Sequence, residues 1–282
     1  MAFEPDNLGL AQAGLPLLRE LIHERTGLFY DVSRYESLGE RLAPLVIQRG
    51  FHSFLDFYYL LKYDEREAVE EWRRVMDVLS VPETYFWREI DQIQGLACSV
   101  LPELARESAD RPIRIWSIPC ASGEEPLTIA MVLSEAGWFD RVPIEIHASD
   151  ASGSAIAKAM KGHYRERSFR ALPAAMREKY FVRQQDGGSM PTAELRGRVA
   201  SWSVVNLMAP HEVARYARSP VIFCRNAFIY FSPQSVKAVV EAFAETMPAP
   251  AYLFLGAAES LLNVTDRFML DDLGRAFAYV KR

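Results

Sequence analysis

The residues with most chemical capacity cluster in the middle of this 282-residue sequence. A loop of small residues, Cys120-Ala121-Ser122-Gly123, leads straight into the pair Glu124-Glu125, and Asp150 lies 27 residues beyond Gly123. Small residues between a strand and a helix let a ligand approach the backbone closely, Gly123 above all. An acid at the end of the next strand can hydrogen-bond ribose hydroxyls. It can equally cap the helix that starts near Ser152. Glu125 or Glu124 could face an α-ammonium, such as that on the methionine portion of S-adenosylmethionine, or could favour the helix N-terminus through its dipole. The sequence has no GxGxxG dinucleotide pattern and no GxxxxGK[ST] run, which argues against a dinucleotide or a nucleoside triphosphate.

Positioning these residues requires strands that end together. Ile113–Ile118 and Pro143–Ala148 read as strands, with helices from Pro126 to Ala136 and from Ser152 to Lys161. Strand, helix, strand, helix at this spacing predicts parallel βαβ units. Val221–Cys224 and Ala251–Leu255 read as further buried strands. Tyr180–Val182, Gly187-Gly188 and Ala193–Val205 read as a short antiparallel excursion about a glycine turn. Upstream of Pro82 the periodicity is helical throughout. Leu15, Leu18, Leu21 and Ile22 form one face, and Tyr35, Leu38, Leu42, Leu45 and Val46 a second. A third helix, capped by Ser53, carries Phe54, Phe57, Tyr58 and Leu61. A fourth turns Val69, Trp72, Val75, Met76 and Leu79 inward. A helix from Glu89 to Leu104 leads into the first strand.

The bulk composition is that of a globular protein, half apolar and 24% charged. A net charge of −5 and a pI near 5.7 exclude a global basic field for nucleic acid or anionic membrane. Cys98, Cys120 and Cys224 show no metal-binding spacing and read as buried free thiols in a reducing compartment. The acidic opening Met1–Leu10 is not a signal peptide, and no apolar run reaches the ~20 residues that cross a bilayer. The expectation is a cytoplasmic protein without direct membrane insertion.

Six segments, in order, carry a resemblance. These are Val81–Arg88 (VPETYFWR), Arg114–Ser117 through Ser122–Pro126 (RIWS…SGEEP), and His147–Asp150 with Ala159 and Gly162-His163-Tyr164. Val205-Asn206-Leu207, Phe223–Phe231 (FCRNAFIYF) and Leu253–Gly256 with Glu259-Ser260 complete the series. They resemble the chemotaxis receptor glutamate methyltransferases, the CheR family. The resemblance implies an α/β fold: a Rossmann-like class I S-adenosylmethionine methyltransferase fold with an N-terminal all-helical domain and a small antiparallel β insertion. The expected organisation is a helical domain over 1–80 and a methyltransferase domain over 81–282, with 178–206 as the β subdomain. The implied activity is protein-glutamate O-methylation, with S-adenosylhomocysteine as the other product and no metal.

The resemblance also assigns roles. Asp150 would hold the ribose and Glu125 the methionine ammonium, with Gly123 at the close backbone approach. Asn206 and Leu207 would line the adenine pocket, and Arg225 and Asn226 would border the cofactor. Thr84 and Arg88 would meet its methionine end and the incoming glutamate, Pro82 would be a further cofactor-binding position, and Tyr230 would stand near the transferred methyl. Read alone, Tyr230 suits a core position, Arg88 a surface ion pair and Asn206 a turn. Pro82 replaces the family's usual Asn and loses an amide contact, and Trp87 replaces a Phe. Both departures leave open a signalling module that binds S-adenosylmethionine without transferring its methyl. The implied partner is a methyl-accepting chemoreceptor or related acidic helical protein, met by a monomer. Its tail could dock on residues 178–206, which could equally be a structural flap. Arg34 and Arg41 could meet a receptor helix or form a solvated edge.

Overall fold

The computed structural model describes residues 14–107 and 111–282. The reading of Met1–Leu10 lies outside the described residues. Four helices come first: α1 Gly14–Thr26, α2 Tyr35–Gln48, α3 Phe54–Tyr63 and α4 Ala68–Leu79. Ser53 caps α3 as expected, its hydroxyl accepting the Asp56 N–H at 3.1 Å. The apolar faces converge on one core containing Leu18, Ile22, Leu42, Phe57 and Val75. Val69 departs from the expected inward face of α4 and is 54% exposed. It lies off the stripe of Ala68, Trp72, Val75 and Leu79, whose spacing of three and four fills the buried side.

The expected helix before the first strand is one continuous run with a π-helical turn inside it. It comprises α5 Ile90–Gly95, the π turn Leu96–Val100, and α6 Leu101–Glu107. Then follow β1 Ile113–Ser117, α7 Glu124–Glu135, β2 Ile144–Asp150, α8 Gly153–Lys161 and α9 Ala174–Tyr180. Next are β3 Phe181–Arg183, β4 Ser189–Pro191, α10 Ala193–Gly197, β5 Val199–Val204 and α11 Pro210–Val213. The chain closes with β6 Val221–Phe223, α12 Pro233–Thr246, β7 Ala251–Phe254, β8 Met269–Asp272 and β9 Phe277–Lys281.

Seven strands form one sheet in the order β5-β2-β1-β6-β7-β9-β8. β5, β2, β1, β6 and β7 are parallel, and the β8–β9 hairpin adds antiparallel strands at one edge. Apolar clusters cover both faces of the sheet, with Ile115, Phe223 and Phe254 on one and Trp116, Ile222 and Leu253 on the other. Residues in the middle strands are therefore apolar on both sides, as buried parallel strands must be.

The excursion read over 178–206 divides in two. β3 and β4 pair antiparallel about the turn at Gly187, which has φ +82°. Val199–Val204 instead joins the main sheet as its parallel edge strand, with Asp150 opposite Val204. An alternating pattern specifies a strand but neither its partner nor its direction, so the two pairings look alike in sequence. The cysteines also divide: Cys120 and Cys224 are buried free thiols, and Cys98 is free but exposed, on the outer side of the π turn.

The helical domain packs beside the carboxyl ends of the parallel strands. Leu28 forms an isolated antiparallel bridge with Phe231. The Phe29 N–H donates to the Tyr230 carbonyl at 2.8 Å.

Candidate active site

Strand order reverses between β1 and β6, and the ends of such strands leave a crevice where α/β proteins bind ligands. Here that crevice is a cleft of about 1320 Å³, its open mouth included. Pro82, Thr84, Arg88, Glu125, Asp150, Asn206, Leu207, Arg225, Asn226 and Tyr230 all line it. Gly123 does not. Its φ is +96°, and a Cβ there would lie 2.9 Å from the Trp202 ring and 3.1 Å from Ala159. The glycine is required by the turn and by packing of the loop against α8 and β5. The loop residue facing the cleft is Ala121, with φ +46°.

Asp150 ends β2 and is 6% exposed. One carboxylate oxygen accepts the Ala121 N–H and the other the Ser152 N–H, both at 2.9 Å. It therefore locks the loop after β1 to the end of β2. The α8 cap is a different residue, Ser152, whose hydroxyl accepts the Ala155 N–H at 3.1 Å. Burial pushes the Asp150 carboxyl above its ordinary range, opposed by the backbone donors of Ser152, Ala121 and Ala151 and reinforced by the charge of Asp77. Each oxygen keeps a second lone pair for a ligand hydroxyl.

Glu124 and Glu125 point opposite ways from the first turn of α7. Glu124 is buried away from the cleft, where its carboxylate accepts from the Ser122 and Ser168 hydroxyls at 2.8 and 2.9 Å. Glu125 faces the cleft. It accepts from the Ser117 hydroxyl at 2.6 Å and pairs with Arg225 at 3.2 Å. Burial raises both carboxyls, and for Glu125 the Arg225 charge opposes that rise.

Arg225 is the hub of the opposite wall, its side chain only 2% exposed. Besides Glu125 it pairs with Glu89 at 3.1 Å and donates to the Arg88 carbonyl at 2.8 Å. Its Nε is buried without a partner. Arg88 reaches the cleft mouth, where one Nη donates to the Glu83 carbonyl at 3.0 Å. Trp87, Glu89 and Asn226 have φ of +72°, +49° and +59°, left-handed values that cost non-glycine residues energy and cluster at functional sites. Glu259 stabilises the turn at Asn226. Its carboxylate accepts the N–H groups of Asn226, Phe228, Ile229 and Gly256 at 2.6 to 3.3 Å. That turn carries Tyr230 into the cleft.

Asn206 is held at both ends of its side chain. Its Nδ2 donates to the Arg25 carbonyl at 2.8 Å, and its Oδ1 accepts the Met208 N–H at 3.0 Å. With Leu207 buried beside it, it forms the wall next to α1. Of the helix-edge arginines, Arg34 is exposed in a 3-10 turn and Arg41 donates to the Leu79 carbonyl at 3.3 Å.

Sequence reasoning passed over three acids that shape this site: Asp77, Glu89 and Glu259. Glu259 lies inside a quoted motif, yet nothing local indicates that it gathers three backbone donors from another loop besides the Gly256 N–H of its own. The donor set suits a nucleoside carrying an amino-acid arm. A buried acid at the β2 end can take hydroxyl donors, a second acid faces the cleft 25 residues earlier in the chain, and cations stand opposite. Among the described residues no cluster of three His, Cys, Asp or Glu side chains could hold a metal ion.

The chain is similar to known proteins over most of its length. Residues 82–276 match the family described as CheR methyltransferase, SAM binding domain, and residues 13–80 match CheR methyltransferase, all-alpha domain. The chain is 34% identical over 265 residues to chemotaxis protein methyltransferase 2 of Vibrio cholerae, covering 93% of this chain and 91% of that protein. It is 28% identical to chemotaxis protein methyltransferase 1 of Pseudomonas aeruginosa, over 93% and 96% of the two chains. It is also 28% identical to a probable biofilm formation methyltransferase of Pseudomonas putida, over 92% of this chain and 60% of that one.

Proposed function

The chain belongs to the CheR methyltransferase family, and from that premise we propose that it uses S-adenosylmethionine to methylate glutamate side chains of a chemoreceptor. The products are glutamate γ-methyl esters and S-adenosylhomocysteine. One observation carries the reading: Asp150, buried, and Glu125, half-buried, on successive βα units, open onto a single cleft at the strand-order reversal.

Bound S-adenosylmethionine supplies an electrophilic methyl group on a positively charged sulfur. The chain has no proton to remove, because a γ-carboxylate is already ionised at neutral pH, and the reaction calls for no metal. Its work is placement, which can contribute roughly 7–11 kcal/mol when reacting groups are well oriented. Asp150 takes the ribose hydroxyls, Glu125 the ammonium, and Asn206 with Leu207 the base. Pro82, Thr84, Arg225 and Asn226 border the amino-acid arm, and Gly123 acts behind them by shaping the loop. Arg88 has donors left at the cleft mouth that can hold the substrate carboxylate as a planar fork. A tight pair would damp the carboxylate's reactivity, so Arg88 positions more than it activates. The Tyr230 hydroxyl adds one directional donor.

In this reading a cytoplasmic monomer meets acidic helices of the receptor. Among the described residues no helix is long and apolar enough to cross a membrane. The test is transfer of a labelled methyl group to receptor-containing membranes. Alkali should release the label as methanol, as expected for a carboxyl ester. Base-stable label would point to another acceptor. Tight binding of S-adenosylhomocysteine with no transfer to any receptor fraction would select a non-catalytic signalling module, the outcome Pro82 and Trp87 leave open.

A further inference from the structure

The helical domain touches the cleft at residues beside the proposed cofactor groups. Arg25 contributes its carbonyl to Asn206, and Phe29 its N–H to the Tyr230 carbonyl. Both are backbone contacts. Asp77 differs, because it commits a charged side chain. It sits in the last turn of α4 and lines the cleft. Its Oδ1 accepts the Ser152 hydroxyl at 2.6 Å and the Ser154 N–H at 3.0 Å. The Ser152 N–H in turn donates to Asp150, and the Ser152 hydroxyl caps α8.

We propose that Asp77 is a positioning residue for the nucleoside: by fixing Ser152 and the first turn of α8, it sets the Asp150 carboxylate against the cleft. Cofactor affinity thereby depends on a side chain of the helical domain. Cohesion between the domains does not require this arrangement, since the Leu28–Phe231 bridge already joins them. Placing a second carboxylate near Asp150 is electrostatically unfavourable, and the Asp77 charge contributes to the raised Asp150 carboxyl. An acid here makes sense where the ligand brings donors and positive charge. The inference rests on the reading of Asp150 as the ribose-holding residue.

The test uses the full chain in five forms: wild type, Asp77→Ala, Asp77→Asn, Asp77→Glu and Leu42→Ala. Calorimetry gives the affinity for S-adenosylhomocysteine, and methyl transfer to receptor membranes gives KM and kcat. Loss of the acceptor in Asp77→Ala should weaken binding and raise KM for S-adenosylmethionine about tenfold, with kcat within about twofold. Asp77→Asn keeps an acceptor oxygen and should restore affinity to within about threefold. Asp77→Glu keeps the charge but displaces it by one methylene, and should raise KM even if the alanine variant folds poorly. Leu42→Ala empties a buried position of the same domain and should lower stability without moving KM. Wild type that binds no ligand would overturn the cleft reading itself. Wild type that binds, with Asp77→Ala and Asp77→Glu within twofold of it, would overturn only the role of Asp77. So would a Leu42→Ala shift in KM as large as theirs.

Discussion

The two walls of the cleft reach similar definition by different physics. The wall at the ends of β1 and β2 is set by sheet register. Ser117 ends β1 opposite Ala148, β2 runs two residues further, and Asp150 at its end reaches back to accept the Ala121 N–H of the loop after β1 while also accepting the Ser152 N–H. The wall built from residues 81–89 and 225–230 has no strand behind most of its length. It holds left-handed Trp87, Glu89 and Asn226 in place with charge: Arg225 between two glutamates, and Glu259 beneath four N–H groups. A wall of the first kind should tolerate the loss of one side chain better than the second. Removing one partner from a buried ion network leaves the others uncompensated.

The largest effect is therefore expected at Arg225. Arg225→Leu leaves the half-buried Glu125 and Glu89 without their buried cation and should cost up to about 3–5 kcal/mol of stability at neutral pH in urea unfolding. Adding Glu125→Gln should recover part of that loss, because the orphaned charge is then gone. A single variant within about 1 kcal/mol of wild type would erase the contrast between the walls.

Asp150→Ala comes next and tests the strand wall through ligand rather than stability. A carboxylate hydrogen bond contributes about 1.5–3 kcal/mol, so S-adenosylhomocysteine should bind roughly 10- to 150-fold more weakly in calorimetry. The same acid gives a pH signature with a definite sign. Burial raises the folded-state pKa of Asp150 and Glu125 above 3.8 and 4.5, so their ionisation opposes folding. Any stability they contribute is greatest below those values and is lost as pH rises through the raised ones. Ligand binding needs the ionised forms and so has the opposite slope. As pH falls from neutral into the acid range where these carboxyls take up protons, the thermal shift produced by S-adenosylhomocysteine should shrink, while these two groups do not lower the ligand-free melting temperature. A ligand shift in wild type that does not fall at any pH down to acid unfolding would remove both acids from the binding site.

The same contrast governs what could be read from the sequence. β1, β2, β6 and β7 were legible because buried parallel strands are continuous apolar runs between turn residues, and Asp150 and Glu125 follow from where those runs stop. Gly123 was legible as a required glycine but not in its direction, since only the folded chain places Trp202 and Ala159 behind it. Val199–Val204 carries a strand pattern that fits either a hairpin or a sheet edge. Glu89, Glu259 and Asp77 act on partners far away in the chain. Asp77 meets Ser152 75 residues on, and no local pattern encodes such a pairing. The charged wall is accordingly the one that motif resemblance reached and periodicity did not.

The smallest effect separates orientation from stability on that wall. Glu83 is clasped by Arg167 and by Arg170, the latter at 2.8 Å, and Arg170 also lies over the Tyr85 ring at 3.7 Å. The Phe86 N–H donates to the Ser168 carbonyl at 2.9 Å, so the segment before α9 grips the segment that carries Arg88. These ion pairs are solvent-exposed, and exposed pairs contribute about 0–1 kcal/mol. Glu83→Ala should leave the unfolding free energy within about 1 kcal/mol of wild type. Misplacement by about an ångström can nonetheless cost up to about a hundredfold in rate. With the backbone contact from Phe86 still in place, we expect a fall in kcat of about tenfold, with affinity for S-adenosylhomocysteine unchanged. A fall in affinity equal to the fall in kcat would mean that the clasp shapes the cofactor cleft itself, and that the two walls are not mechanically separate.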